Sequence, residues 1–192
     1  MKEILTTYMA KYTSLNETEQ HAILDALIIE TFEKGSHLIK QGDSPKEICF
    51  FVLKGCVRKY QIAEYGKEIT THFFTEEEAI LLFDAEKPEQ ESPFSLTCVE
   101  DCVLVVGDLK SEHEMYKKYT ELETMSRRMM ENYLSQTQQE FATFIHSSPE
   151  ERYKTLINNR PDLLKRVPQH QLASYLGMTP ESLSRIKKRI QL

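Results

Sequence analysis

Apolar positions along the chain change period twice. Residues 1–29 follow a helical repeat: Ile23, Leu24, Leu27 and Ile28 form a stripe, and Asn16 followed by Glu19 has capping-box spacing. From Thr31 to about Gly107 the pattern shortens to β-type runs, predicted over residues 36–40, 48–53, 57–62, 68–74, 94–99 and 103–106. Gly35, Gly42-Asp43, Gly55 and Tyr65-Gly66-Lys67 separate these runs, as in an antiparallel barrel or sandwich. Between Asp108 and Ser148 there is no Gly or Pro, and Glu, Lys, Met, Leu and Gln dominate. That predicts a long helix, broken near its start. Its apolar residues run at an approximate 4-3 spacing from Met115, Tyr119, Leu122, Met129 and Tyr133 to Leu134, Thr137, Phe141 and Phe144. One small barrel cannot cover so long a stripe. Its upper part therefore predicts a parallel two-chain seam, with Leu122, Met125, Met129 and Tyr133 as dimerisation residues.

Ser148-Pro149 opens a further helix, with Glu150 and Glu151 in its first turn and Tyr153, Leu156 and Ile157 on its apolar side. Arg160-Pro161 closes it, and Leu163, Leu164 and Val167 lead into the segment PQHQLASYLGMTPESLSRIKKRI, residues 168–190. This segment reads as two short helices around a turn at Gly177–Met178. Leu172 and Leu176 lie on the first helix, Met178 fills the turn, and Leu183, Ile186 and Ile190 line one face of the second. Ala173 is small where the helices cross, and Gly177 permits the positive φ of a sharp corner. Thr179 is placed as N-cap with Pro180 at the first helical position. The outward face of the second helix carries hydrogen-bonding and cationic side chains suited to a DNA major groove.

Charge sharpens this picture. The whole chain of 192 residues is −6, but residues 149–192 hold nine Lys/Arg against four acids, a net +5 that leaves −11 for the rest. A basic end on an acidic body is the footprint of a protein that meets phosphate at one end only. Met1–Ala10 lacks the apolar core of a signal peptide and no apolar run reaches membrane-spanning length, so a cytoplasmic place is expected. Cys49, Cys56, Cys98 and Cys102 lie in apolar strand-like surroundings and read as small buried hydrophobes, with no metal-ligand spacing. No nucleophile elbow, phosphate loop or metal motif is present, so neither an enzyme nor a cofactor is expected. The alternative to DNA contact is a ligand-binding or scaffold protein whose C-terminal hairpin contacts protein.

The order helix, barrel, long helix, helix-turn-helix resembles the CRP/Fnr family of bacterial transcription regulators. The resemblance is carried by Phe32-Glu33-Lys34-Gly35, Gln41-Gly42-Asp43, the run Phe50 to Arg58, and the closing QLASYLGMTPESLSRIKK. It implies an α+β chain. Residues 1–110 would be a cyclic-nucleotide-binding-like barrel or jelly roll, 111–147 a dimerisation helix, and 148–192 a winged-type helix-turn-helix domain. It implies double-stranded DNA and a second copy of the chain as partners, with RNA polymerase and an unassigned small-molecule effector beyond them. On this reading Glu181 and Arg185 contact bases, and Gln169, His170 and Ser184 contact phosphates or base edges. Thr179 and Ser182 complete the face, while Lys188 and Arg189, with Lys187, anchor the backbone. Pro180 stands where many relatives carry a cationic base-reader, so the operator should differ from the familiar one. The family's cyclic-AMP binders hold ribose and phosphate with a Gly-Glu turn and an Arg, yet Phe73 to Thr97 contains neither Gly nor Arg. Residues 67–106 carry ten acids against Lys67 and Lys87, a net −8 that would repel an anionic nucleotide. The pocket is therefore read as degenerate, packed by side chains such as Phe74, Leu81, Leu82 or Phe83. His72 and His113 are read as structural rather than as haem ligands.

Overall fold

The computed structural model describes residues 2–44, 48–81 and 91–190. The N-terminal stretch forms two helices, α1 (Lys2–Tyr12) and α2 (Glu17–Ala26). The capping box is formed, with Asn16 Oδ1 accepting from Glu19 N and the Glu19 carboxylate accepting from Asn16 N, both at 3.0 Å. It starts a new helix rather than lying inside one. The expected helix to residue 29 also overruns. Leu27 is extended at ψ 137°, and Ile28–Phe32 continue as strand β1 against Cys102–Val106. Cross-strand pairing here overrides a helical-looking apolar stripe.

Seven more strands follow: β2 (His37–Ile39), β3 (Ile48–Lys54), β4 (Val57–Ile62), β5 (Glu68–Phe74), β6 (Ala79–Leu81), β7 (Ser95–Cys98) and β8 (Cys102–Asp108). They pair antiparallel in two sheets of order β1-β8-β3-β6 and β2-β7-β4-β5, a jelly roll. Short β6 and most of β1 had no strand signal of their own. Strand β8 shows why the run CVLVV is apolar throughout. Cys102, Leu104 and Val106 face the roll interior, while Val103 and Val105 pack outward with Leu53, Leu5, Met9, Ile23 and Leu24. Both faces are covered, so alternation disappears from the sequence. The interior is filled by Phe50, Val52, Val57, Phe74, Ile80, Leu96, Cys98 and Leu104. At the β3–β4 turn Gly55 has φ +104°, and a Cβ there would lie 2.6 Å from Cys102 Sγ and 2.8 Å from the Asp101 carbonyl. Only glycine lets these two chain segments touch. Cys56, Cys98 and Cys102 are buried free thiols, and burial pushes the Cys56 thiol up to about 12.

The long helical stretch breaks at Tyr119 (φ −130°, ψ 86°) into α3 (Leu109–Lys118) and α4 (Thr120–His146). The lower part of α4 packs on the chain itself, while residues 130–146 are exposed throughout. Helices α5 (Pro149–Asn159), α6 (Leu163–Arg166), α7 (Gln169–Tyr175) and α8 (Pro180–Ile190) complete the described chain. No strand lies among or after these helices in the described residues, so the end expected to be winged is helical there. Pro161 and Pro168 bracket the link between α5 and α7, and neither can donate to a ladder. No described helix is long and apolar enough to cross a membrane.

Candidate nucleic-acid interface

Helices α7 and α8 are joined by a corner whose geometry the sequence dictates. Gly177 sits at φ +67°, Met178 N donates to the Ala173 carbonyl at 2.9 Å, and Thr179 Oγ1 accepts from Ser182 N at 3.2 Å as an N-cap. Leu172, Ala173 and Leu176 meet Leu183 and Ile186 in a buried cluster, with Met178 and Ile190 packed against it. Each fully buried Leu or Ile contributes about 1.5–3 kcal/mol, so this one face fixes the pair. A Cβ on Gly177 would lie 2.9 Å from Arg152 Nη1 and 3.0 Å from the Phe144 ring, tying the corner to the end of α4.

The remaining face of α8 is open. Glu181, Arg185, Lys188 and Arg189 are exposed, Ser182, Ser184 and Lys187 are half-buried, and Gln169 and His170 are exposed at the start of α7. The Glu181 carboxyl is held below its usual value by its own backbone N–H and the Thr179 hydroxyl, with Arg185 adding attraction. It is an ionised acceptor at neutral pH. Arg189 is paired with Glu150, which also binds Lys154 at 2.8 Å, so that cation is partly engaged within the protein. Arg185 and Lys188 have no ion-pair partner among the described residues.

Other cations of the C-terminal segment point the opposite way, which composition had not separated. Arg166 donates to Glu76 at 2.9 Å and to Glu100 at 2.9 and 2.5 Å. Arg160 donates to the Phe73 carbonyl at 2.9 Å and to Thr75 Oγ1 at 2.8 Å, and Glu78 lies 3.5 Å away. Arg152 stacks on Phe144 at 3.7 Å and donates to the Leu176 carbonyl at 3.1 Å. Ser174 Oγ accepts from Thr70 N at 2.9 Å and donates to the Glu68 carbonyl at 3.1 Å, docking α7 on β5. Cys56, Phe73 and Val99 of the roll share a core with Tyr153, Leu156 and Leu163.

The overlap with known proteins follows this architecture. Residues 29–119 match the family of the cyclic nucleotide-binding domain. FixK2 from Bradyrhizobium japonicum superposes with a TM-score of 0.69 at 15% identity, covering 86% of this chain and 85% of that one. The global regulator CLP of Xanthomonas campestris, described as c-di-GMP responsive, gives 0.69 at 15% identity over 92% of each chain. The catabolite activator protein of Thermus thermophilus gives 0.54 at 19% identity, over 94% of this chain and 85% of that one. These solved structures share the fold of this chain. Comparison with curated protein sequences gives no significant match.

The residues expected in a two-chain seam are differently placed. Leu122 is 5% exposed and packs with Leu5, Met9 and Leu53, and Met125 lies against the same cluster. Met129 is half-buried, and the Tyr133 ring lies 6.4 Å from His72 of β5. The open apolar stripe lies higher, at Met130, Leu134, Phe141 and Ile145, where Leu134 is 58% and Phe141 65% exposed. Of the side chains expected to fill the roll, Phe74 does so. Leu82, Phe83 and Lys87 lie outside the described residues, and Leu81 is described only by its backbone pairing to Cys49. Lys67 is exposed beside a hairpin tip. His72 packs against Phe74 and Tyr133 and lies 3.9 Å from Glu78, while His113 is exposed on α3. Lys59 and the tyrosine pair Tyr8 and Tyr12, which border an open cavity, went unnoticed. Their signal was Lys59 sharing strand parity with Val57, and an i,i+4 aromatic pair.

Proposed function

We propose that the protein is a homodimeric, sequence-specific DNA-binding transcription regulator. The observation that carries this reading is the α7–α8 pair. Its apolar positions are all spent inside the corner, and Glu181, Ser184, Arg185 and Lys188 remain on one accessible face. The N-terminal half of α8 would enter the major groove, with Glu181 accepting from cytosine N4 and Arg185 donating to guanine. Lys187, Lys188 and Arg189 would hold phosphates, and Gln169 and His170 would add contacts from the start of α7. The exposed stripe of Met130, Leu134, Phe141 and Ile145 supports a parallel pairing of two α4 helices. Two heads on a two-fold axis would read half-sites about 34 Å apart, one helical turn.

On this reading the roll does not bind cyclic AMP. Its interior is occupied by its own side chains, and residues 67–106 have a net charge of −8. A titration on a library of palindromic sites tests the reading. Saturable, sequence-selective binding that weakens steeply with salt is expected, whereas sequence-blind or salt-independent binding overturns it. Leu134→Asp should give a monomer by analytical ultracentrifugation, with much weaker binding to paired sites.

A further inference from the structure

Helices α4 and α5 are joined by two extended residues, Ser147 (φ −92°, ψ 138°) and Ser148 (φ −65°, ψ 160°). Such a link leaves the angle between the helices to soft backbone dihedrals, so a contact elsewhere must fix it. Arg152, at the end of the first turn of α5, reaches back across the link. Its Nε donates to the Phe144 carbonyl at 3.2 Å, and its guanidinium lies 3.7 Å from the centroid of the Phe144 ring. Its Nη1 donates to the Leu176 carbonyl at 3.1 Å, where α7 ends. Both acceptors are carbonyls of the kind a helix terminus leaves without a partner. The helical donor to Phe144 would be Ser148 N, which is taken by the Glu151 carboxylate at 2.8 Å. Leu176 is the C-cap of α7, and Gly177 turns the chain away directly after it at φ +67°. One cation therefore closes the negative ends of two helices.

The chemistry calls for arginine. A planar fork can bond two carbonyls and stack on a ring at once, whereas an ammonium is a point charge. The place of the contact matters as much. Leu122 anchors the lower end of α4 in a core with Leu5 and Met9. Phe144 stands 22 residues further on, about 33 Å along the helix axis. A Cβ on Gly177 would meet both Arg152 and the Phe144 ring, so the clasp lies against the backbone of the α7–α8 corner itself. We propose that Arg152 is a positioning residue: it holds this corner at one angle to α4, and thereby sets the half-site spacing that a paired protein reads. The consequence for spacing rests on the DNA-binding reading above, whereas the angle can be measured without DNA.

Pulsed electron–electron double resonance reads the angle. Nitroxides are placed by Gln138→Cys on α4 and Asn158→Cys on α5, both exposed positions. Cys49, which is half-buried, is replaced by serine, and labelled chain is diluted with unlabelled chain so that each distance lies within one molecule. A single narrow distance distribution is expected, broadened about twofold by Arg152→Ala. Arg152→Lys keeps the charge and loses the fork, and should fall between the two. The second readout is binding to palindromes whose half-site spacing is changed by two base pairs, about 70° of helical twist. The chain with Arg152 should lose about a hundredfold in affinity, because both heads no longer engage at once, and Arg152→Ala less than about tenfold. Affinity for a single half-site should be alike in the two, which reports an intact corner. An unaltered distance distribution in Arg152→Ala overturns the proposal. So does a spacing preference as sharp as before, even if every affinity falls equally, since that marks a merely structural residue. If the chain with Arg152 binds no DNA, the regulator reading fails, and the distance distributions still decide whether Arg152 holds the corner.

Discussion

Arg160 and Arg166 lie on one side of the C-terminal helices, Arg185 and Lys188 on the other. The inner pair meets Phe73, Thr75, Glu76, Glu78 and Glu100 of the roll. The outer pair meets no carboxylate at ion-pair distance among the described residues. All four count alike toward the net +5 of residues 149–192. A basic segment is thus not one footprint. Part of its charge holds the helices on the acidic roll, and only the remainder is offered to an outside anion. The acidity of the roll is put to use in the same contact, since Glu76 and Glu100 converge on a single guanidinium.

The strongest way to break this division is Arg166→Ala. It would leave two carboxylates without their shared partner, at a cost of about 1–3 kcal/mol once partial exposure is allowed for. Thermal denaturation should show a lower Tm, and an unchanged Tm would remove Arg166 from the inner set. Acid provides an independent check on the same contact. Burial alone would raise the Glu76 carboxyl, but Arg166 and the Gly55 N–H outweigh it and hold it below 4.5. Glu78 behaves alike, with burial opposed by His72 and Arg160. A carboxyl depressed in the folded state stabilises above its unfolded value and loses that contribution as pH falls through the folded one. Stability should therefore drop below about pH 4.5, and the drop should be shallower in Arg166→Ala.

For the outer set, Arg185→Ala should leave Tm nearly unchanged, within about 0.5 kcal/mol of stability. It should reduce discrimination at one base position by about 1–3 kcal/mol in a binding-site selection. Lys188→Ala should have the smallest effect. It should weaken all sequences alike and lower the slope of log affinity against log salt by about 1. Identical behaviour of these two variants would erase the distinction between base reading and backbone anchoring.

The helix-turn-helix could be read from the sequence because its determinants are local. Leu172, Ala173, Gly177, Thr179 and Leu183 lie within a few turns of one another, and 3.6-residue periodicity places them. Most of the strands were visible for the same reason. Strand β1 was not, because Ile28 and Ile29 continue the stripe of α2 and their ladder partners stand some 75 residues away. The inward arginines were hidden by the same distance, since Arg166 and Glu100 are 66 positions apart and Arg160 and Phe73 are 87. The stripe on α4 was legible as a stripe, but spacing cannot say what buries each part. Leu122 turned inward to α1 and β3, and Phe141 stayed open. The cavity needs α1, β4 and α4 at once, so no single segment announces it.

The core shared by Cys56, Phe73 and Val99 with Tyr153, Leu156 and Leu163 bears on how the protein comes apart. Helices α5 to α8 form a small unit, and part of the apolar surface they shelter against belongs to the roll. A unit of that size is marginal alone. Melting of the roll strips those helices of a wall, and melting of the helices uncovers Phe73. The two are therefore expected to unfold together, so the link at Ser148 between α4 and α5 should not divide the molecule into independently melting parts.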